Sequence, residues 1–195
     1  MSDAYTFAAD VFRTVCDRLE AKASDLRFMV ETGSSFEEWL TWEAFLACKF
    51  REASYPFCEV TANPSYTSEG VADDGGDPHR RLGDLRVGGP DEGAHHCWVF
   101  AEVALLHDGN RAGGEWLRKL EVGADKLKRL RWKRSASLLV VVAASRGDGL
   151  AASAIWNRPA LTDPFAFALP GGGSVVIAAF DIKGDPAHTL TATSH

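Results

Sequence analysis

The sequence predicts an α/β fold with a mixed central sheet flanked by helices. Two long apolar runs, at 97–106 and 135–145, suit central strands that are covered on both faces. An amphipathic helical pattern at 113–132 separates them. The 195 residues are 46% hydrophobic and 25% charged, close to average globular usage. One packed core is therefore expected rather than a disordered or low-complexity chain.

The N-terminal third predicts helices. Residues 3 to about 30 have apolar residues at helical spacing and form one or two helices. Two serines that each precede a glutamate by three residues have the spacing of a capping box, which starts another helix running from 34 to about 53. The serines are Ser34 and Ser35, and the glutamates are Glu37 and Glu38.

The rest of the chain alternates strands and helices. The predicted elements are a strand at 57–62, a short strand at 81–87 within a Gly- and Asp-rich loop, a strand at 97–106, a helix at 113–132, a strand at 135–145, a helix at 147–157, and the strands FAFALP and SVVIAAFDI, joined by a glycine turn. The chain is expected to fray from about Gly184. Residues 1–195 are thus predicted to form a single domain, with its main core at 34–146 and an appended helix and hairpin at 147–183.

Composition excludes several classes of protein. No apolar run approaches the ~20 residues of a membrane helix, and acids near the N-terminus do not suit a signal peptide, which predicts a cytoplasmic protein without membrane contact. The four cysteines form no C-x-x-C pair, which argues against a zinc ribbon or a disulfide framework. A net charge of −6 argues against non-specific coating of nucleic acid. A local basic patch remains possible, because eight of the 21 basic residues lie between Arg118 and Arg134.

Three acidic residues stand where apolar ones are expected. Glu43 interrupts the apolar stripe of its helix, Glu102 faces inward by strand alternation, and Asp84 lies within the short predicted strand. A buried carboxylate without a partner is unfavourable, so such acids need a basic partner, a shared proton or a metal ion. Oxygen ligands of this kind suit a hard divalent cation such as Mg²⁺.

This arrangement resembles the PD-(D/E)XK, or restriction-endonuclease-like, superfamily over about 34–146, with its αβββαβ core. The resemblance implies that Asp84 is the first motif Asp, Glu102 the Glu of the E-x-K motif, and Glu43 the acid of the first core helix. It also implies Mg²⁺ or Mn²⁺ bound by these three residues. The motif lysine is absent, because Ala104 occupies its position.

In some members of that superfamily the lysine has moved to a neighbouring helix. The bases available there are Lys126, Lys128 and Arg131, of which Lys128 and Arg131 are expected to lie nearer the buried stripe. The implied function is a metal-dependent nuclease, with Asp84, Glu102, Lys126 and Lys128 catalytic. The residues implied to contact nucleic acid are Lys126, Lys128, Arg129 and Arg131.

Other interpretations stay open. The chain could be a catalytically inactive relative that acts as a binding, immunity or regulatory subunit with a protein partner or as a homodimer. Glu102 could form a structural ion pair with Arg86 or with a base of the following helix, and Asp84 could be a turn residue after Gly83. Glu43 could reach solvent past Trp42.

Overall fold

A computed structural model describes most of the chain. The described residues are 4–33, 35–52, 57–65, 82–89, 97–107, 115–130, 135–146 and 160–182. The helices are α1 (Ala4–Ala21), α2 (Ala23–Thr32), α3 (Glu37–Arg51) and α4 (Glu115–Lys128). The strands are β1 (Glu59–Ala62), β2 (Leu85–Gly89), β3 (Cys97–His107), β4 (Ser135–Ser145), β5 (Phe165–Ala168) and β6 (Ser174–Asp181).

The six strands form one mixed sheet in the order β1-β2-β3-β4-β6-β5. Strands β3 and β4 are parallel, from Trp98 opposite Ser135 to His107 opposite Ala144, and all other neighbours are antiparallel. Parallel neighbours need a crossover connection, and α4 lies in that connection. The predicted α/β fold is therefore confirmed, including the αβββαβ order from α3 to β4.

Each face of the sheet carries its own apolar core. Alternation along β3 directs Val99, Ala101, Val103 and Leu105 into the core shared with α1, α2 and α3. The other face of β3 presents Phe100, Ala104 and Leu106, which belong to the core beneath α4. The sheet thus separates the three N-terminal helices from α4.

Strand β3 extends beyond its antiparallel neighbour. The pairing of β2 with β3 ends where Leu85 lies opposite Ala101, so β2 does not pair with Glu102–His107. The N–H groups on this side of β3 need other acceptors, because a buried N–H without a partner is unfavourable. This stretch of backbone, which β2 leaves unpaired, is where acidic side chains collect.

The strand predictions agree closely with the structure. The predicted strand at 135–145 matches β4, 97–106 matches β3 to one residue, and FAFALP and SVVIAAFDI contain β5 and β6. The turn between the last two uses Gly171, Gly172 and Gly173, all with positive φ, a conformation that glycine adopts without steric penalty. The strand predicted at 81–87 is displaced, since β2 begins only at Leu85.

Two N-terminal helices and the helix α3 are also confirmed, but the capping box is wrong. The N-cap of α3 is Phe36, which makes no side-chain capping bond. Glu37 is engaged elsewhere and does not return to the start of its own helix. The helix predicted at 147–157 and the chain beyond Gly184 lie outside the described residues.

The structure also bears on the expectations for membrane helices and for the cysteines. None of the helices in the described ranges is long and apolar enough to cross a membrane. Cys16 and Cys48 are buried free thiols, and burial raises the pKa of each to about 12. Cys58, in contrast, is exposed.

Candidate functional site

The described residues contain a charged pocket beside the extended part of β3. Its volume is about 310 Å³. Residues of α3, α4, β3 and β4 and the residue before β2 line it. The charged ones are Glu37, Asp84, Glu102, Arg118, Lys119 and Lys126. Two of the three predicted acids are therefore brought together, and the third acid of the pocket is a different glutamate.

Glu102 lies at the base of this pocket. It faces α4 from β3, between Phe100 and Ala104, and its side chain is only 5% exposed. Its Oε2 lies 2.9 Å from Nζ of Lys126, which is 20% exposed. The same ammonium group also donates to the backbone oxygen of Leu82 at 3.2 Å. The structural ion pair that the sequence analysis left open for Glu102 is observed, and its partner is a base of the following helix.

Helical spacing brings Lys126 to Glu102. Lys119, Gly123 and Lys126 recur at intervals of four and three residues, so they share one face of α4. A Cβ on Gly123 would lie 3.0 Å from Cδ1 of Leu139 and 3.6 Å from Cβ of Glu102. Glycine at this position therefore permits a close approach of α4 to the sheet, and the lysines on both sides of it reach the pocket.

Asp84 stands beside Glu102. Continuing the β2–β3 register by one residue from Leu85 opposite Ala101 places Asp84 opposite Glu102. Its Oδ2 accepts a hydrogen bond from the N–H of Val103 at 2.7 Å. Burial raises the pKa of the Asp84 carboxyl above its usual value, the hydrogen bond from Val103 and the charge of Lys126 oppose that rise, and the charge of Glu37 adds to it.

Glu37 completes the acidic group from the first turn of α3. Its Oε2 accepts hydrogen bonds from the N–H of Leu105 at 3.3 Å and from Nζ of Lys119 at 3.2 Å. Asp84 and Glu37 thus satisfy alternate N–H groups along the part of β3 that β2 leaves unpaired. Sequence analysis missed this residue, because its spacing from Ser34 assigned it to a helix cap.

The structure does not bring Glu43 to the pocket. Glu43 is buried as predicted, at 7% exposure, but it lies in the layer of α1 and α3. Its Oε2 is 2.6 Å from Nε of Arg18 on α1. Glu43 does not line the pocket, so the structure does not place it beside Asp84 and Glu102 as the predicted metal site requires. Neither does Glu43 reach solvent past Trp42, and Arg18 supplies its charge partner.

The structure also places only some of the predicted bases in the pocket. Lys126 lies in the pocket, but Lys128 is exposed and pairs with Asp125 at 3.0 Å. Arg129 is exposed and does not line the pocket. The expectation that Lys128 lies nearer the buried face than Lys126 is therefore wrong. Arg131 lies outside the described residues.

The pocket combines acids and bases in neutral pairs. Lys126 pairs with Glu102 and Lys119 with Glu37, while Asp84 accepts a backbone N–H. Within the described ranges, no group of three or more His, Cys, Asp or Glu side chains is arranged to hold a metal ion. Oxygen ligands for a cation are present in the pocket, but they are engaged with other partners.

Comparison with known proteins adds no relative. No family model matches the chain. No curated protein and no solved structure matches it either. The chemistry of the pocket is therefore the guide to function in this chain.

The raised pKa of Asp84 predicts a pH-dependent difference between the wild type and Asp84→Asn. The unfolded carboxyl loses its proton near its ordinary pKa of 3.8, while the folded one holds it to higher pH. The folded state therefore binds more protons in that interval, and the stabilisation by this proton is lost as pH rises through the folded pKa.

The asparagine variant keeps an oxygen that can accept from Val103 and has no proton to lose. Urea unfolding of both proteins from about pH 3 to 7 should show the wild type losing stability relative to Asp84→Asn as pH rises. A constant difference across this range would contradict the burial of the Asp84 carboxylate.

Proposed function

We propose that this chain is a metal-dependent nuclease that hydrolyses phosphodiester bonds of nucleic acid. The observation that carries the proposal is the contact between Lys126 and Glu102 in the pocket that also holds Asp84 and Glu37. In the superfamily that the sequence resembles, a lysine near these acids positions the attacking water. Lys126 supplies from α4 the cation that Ala104 cannot supply from β3.

The path of the chain supports the same proposal. The elements α3, β1, β2, β3, α4 and β4 follow the αβββαβ order of that superfamily, with the four strands adjacent in the sheet. Asp84 directly precedes the second strand, and Glu102 lies within the third. The first core helix also contributes an acid, although this is Glu37 and not Glu43.

The chemistry of the lining fits a hard divalent cation such as Mg²⁺ or Mn²⁺. Carboxylates are the ligands such ions prefer, and the residues that would hold one are Asp84, Glu102 and Glu37. A bound divalent ion supplies a more acidic water and stabilises negative charge on phosphate. Binding requires the carboxylates to exchange their present partners, Lys126 among them.

The chain's own residues provide the remaining chemistry. The Lys126 ammonium is a hydrogen-bond donor that can orient a water oxygen or hold a phosphate oxygen. Lys119 lies at the other end of the same helix face, where it can balance the charge of an incoming phosphate. In hydrolysis the water oxygen gives up a proton and bonds to phosphorus, the P–O ester bond breaks, and the leaving oxygen takes up a proton.

Thermal unfolding with and without divalent ions tests this function. A ligand that binds only the native state at ten times its Kd adds about 1.4 kcal/mol of stability. For a chain of this size, that corresponds to a rise in Tm of about 3–5 °C. We expect such a rise with millimolar Mg²⁺ or Mn²⁺ for the wild type and none for Glu102→Ala.

Glu43→Gln is the matched control, because Glu43 is also a buried glutamate paired with a base but lies on the other side of the sheet. Its Tm should rise with the ions as much as that of the wild type, whatever its starting value. Equal rises in the wild type and Glu102→Ala would place the ion elsewhere. No rise in the wild type would count against the nuclease.

A second function is favoured by the ion pairs themselves. Because Lys126 and Lys119 neutralise two of the carboxylates, the charged residues of the pocket also suit a purely structural network of ion pairs. This chain would then be a catalytically inactive relative of the nucleases. Such a protein would act as a binding, immunity or regulatory subunit, and the exposed aromatic rings of Phe28, Trp42 and Phe50 suit a protein partner or a homodimer. This alternative predicts no response of Tm to divalent ions in any variant.

A further inference from the structure

The three cations of the pocket are not equivalent. Lys126 is paired with Glu102 at 2.9 Å, and Lys119 is paired with Glu37 at 3.2 Å. Arg118 lines the same pocket, is exposed, and has no carboxylate partner among the described residues. Among the described residues that line the pocket, Arg118 is therefore the cation whose guanidinium group is left available to a ligand.

The position of Arg118 on α4 fixes where that charge lies. Arg118 and Val122 are one helical turn apart, and both line the pocket. Val122 is 45% exposed, so this stripe of α4 forms the outer wall, whereas Lys126 and Gly123 reach inward to Glu102. Arg118 thus stands at the mouth of the pocket, outside the paired charges.

The chemistry of this position favours a phosphate group. A guanidinium group presents a planar set of donors that matches phosphate in a bidentate manner and stays charged at all ordinary pH values. The three carboxylates behind it oppose entry of a polyanion, and the two lysines only balance part of their charge. An unpaired arginine at the mouth offsets this repulsion at the point of entry.

We propose that Arg118 anchors a backbone phosphate of a polynucleotide strand at the mouth of the pocket. The inference deepens the proposed function, since the anchored phosphate would adjoin the one hydrolysed inside, and it rests on that function for the identity of the ligand. Contact with a backbone phosphate is independent of base sequence, and it depends on salt through the counterions that binding releases.

Fluorescence anisotropy with a labelled DNA strand of about 20 nucleotides, longer than the footprint of a small domain, tests the anchor. Measurements in EDTA prevent hydrolysis. From about 50 to 200 mM salt, Arg118→Ala should bind about 5- to 10-fold more weakly than the wild type, with a salt slope smaller by about one. Arg118→Lys should restore the slope, because it restores the charge. Arg118 is exposed, so none of these variants should unfold the protein.

Arg13→Ala is the matched control, because Arg13 is an exposed arginine of α1, on the face of the sheet away from α4, and does not line the pocket. It should bind within about twofold of the wild type, since a distant surface charge is largely screened by salt. Equal losses for Arg118→Ala and Arg13→Ala would mean a diffuse charge effect and overturn the anchor. So would wild-type affinity in Arg118→Ala, or no DNA binding by the wild type.

Two further measurements distinguish the source of the phosphate from the outcome of the nuclease proposal. If inorganic phosphate at matched ionic strength displaces the DNA at low millimolar concentration, the ligand is a small phosphate and the polynucleotide anchor is wrong. If Arg118 governs DNA binding but divalent ions leave Tm unchanged, the anchor holds and the nuclease fails. If ions raise Tm but Arg118→Ala binds normally, the nuclease holds and the anchor fails.

Discussion

Replacing Lys126 by methionine is expected to lower the free energy of unfolding by about 3 kcal/mol, because the substitution removes the ammonium group that pairs with the buried Glu102 carboxylate. Glu102 is only 5% exposed, between Phe100 and Ala104. Methionine keeps the length and the apolar stem of the lysine, so the change removes the charge and not the packing. Urea unfolding at neutral pH measures the effect, which should appear as a lower midpoint with an unchanged m value.

Two further variants show whether the buried pair is the cause. Lys128→Met removes an exposed pair with Asp125 on the same helix and should change stability by less than about 0.5 kcal/mol. The double variant Lys126→Met/Glu102→Leu replaces both charges by apolar groups and should recover most of the loss. Wild-type stability in Lys126→Met would mean that Glu102 does not depend on this ammonium group.

The long strands are the part of the fold that sequence patterns define best. In β4, all residues from Ala136 to Ser145 are buried, and the seven consecutive apolar residues Leu138–Ala144 form its centre. The inward direction of Glu102 follows from the same pattern, because alternation with Phe100 and Ala104 leaves it no other face. Local sequence pattern thus predicts the direction of a side chain correctly when that direction is set by the residue's own strand.

Two of the three glutamates of α3, Glu37 and Glu43, show where local pattern fails. Helical spacing correctly predicts that Glu43 faces inward, but it does not say which side of the sheet the helix covers. Glu37 reaches the pocket through contacts with Leu105 and Lys119, which lie 68 and 82 residues away along the chain. Such contacts depend on the tertiary arrangement, whereas the capping interpretation of Glu37 used only its neighbours.

The bases of α4 could have been separated by helix geometry. Lys128 lies two residues after Lys126, which places it about 200° further around the helix. The two therefore cannot both face Glu102, and the face that contains Lys119 and Gly123 selects Lys126. The sequence pattern favoured Lys128 as the base nearer the buried stripe, because the apolar stripe of α4 does not by itself show where the sheet lies.

Asp84→Asn is expected to reduce Mg²⁺-dependent cleavage of DNA by about 100- to 1,000-fold if the proposed nuclease is correct. A ligand carboxylate contributes to transition-state stabilisation of several kcal/mol, and each 1.36 kcal/mol is tenfold in rate. The asparagine oxygen can still accept the hydrogen bond from Val103, so the local backbone should keep its present arrangement. Single-turnover cleavage of a labelled oligonucleotide measures the change in the chemical step.

Glu37 and Glu43, which both lie in α3, supply the matched comparison for this assay. Glu37→Gln should reduce cleavage by about tenfold or more, since this carboxylate shares the pocket with Asp84 and Lys119. Glu43→Gln should stay within about twofold of the wild type, provided the assay is run below its Tm, because its partner Arg18 lies on the far side of the sheet. Loss of cleavage in Glu43→Gln with normal cleavage in Glu37→Gln would identify Glu43, the acid predicted from the sequence, as the functional one. That result would contradict the pocket described by the structure. Full activity in Asp84→Asn would exclude this pocket as the site of hydrolysis, because cleavage would then not require the Asp84 carboxylate that is proposed to hold the metal ion.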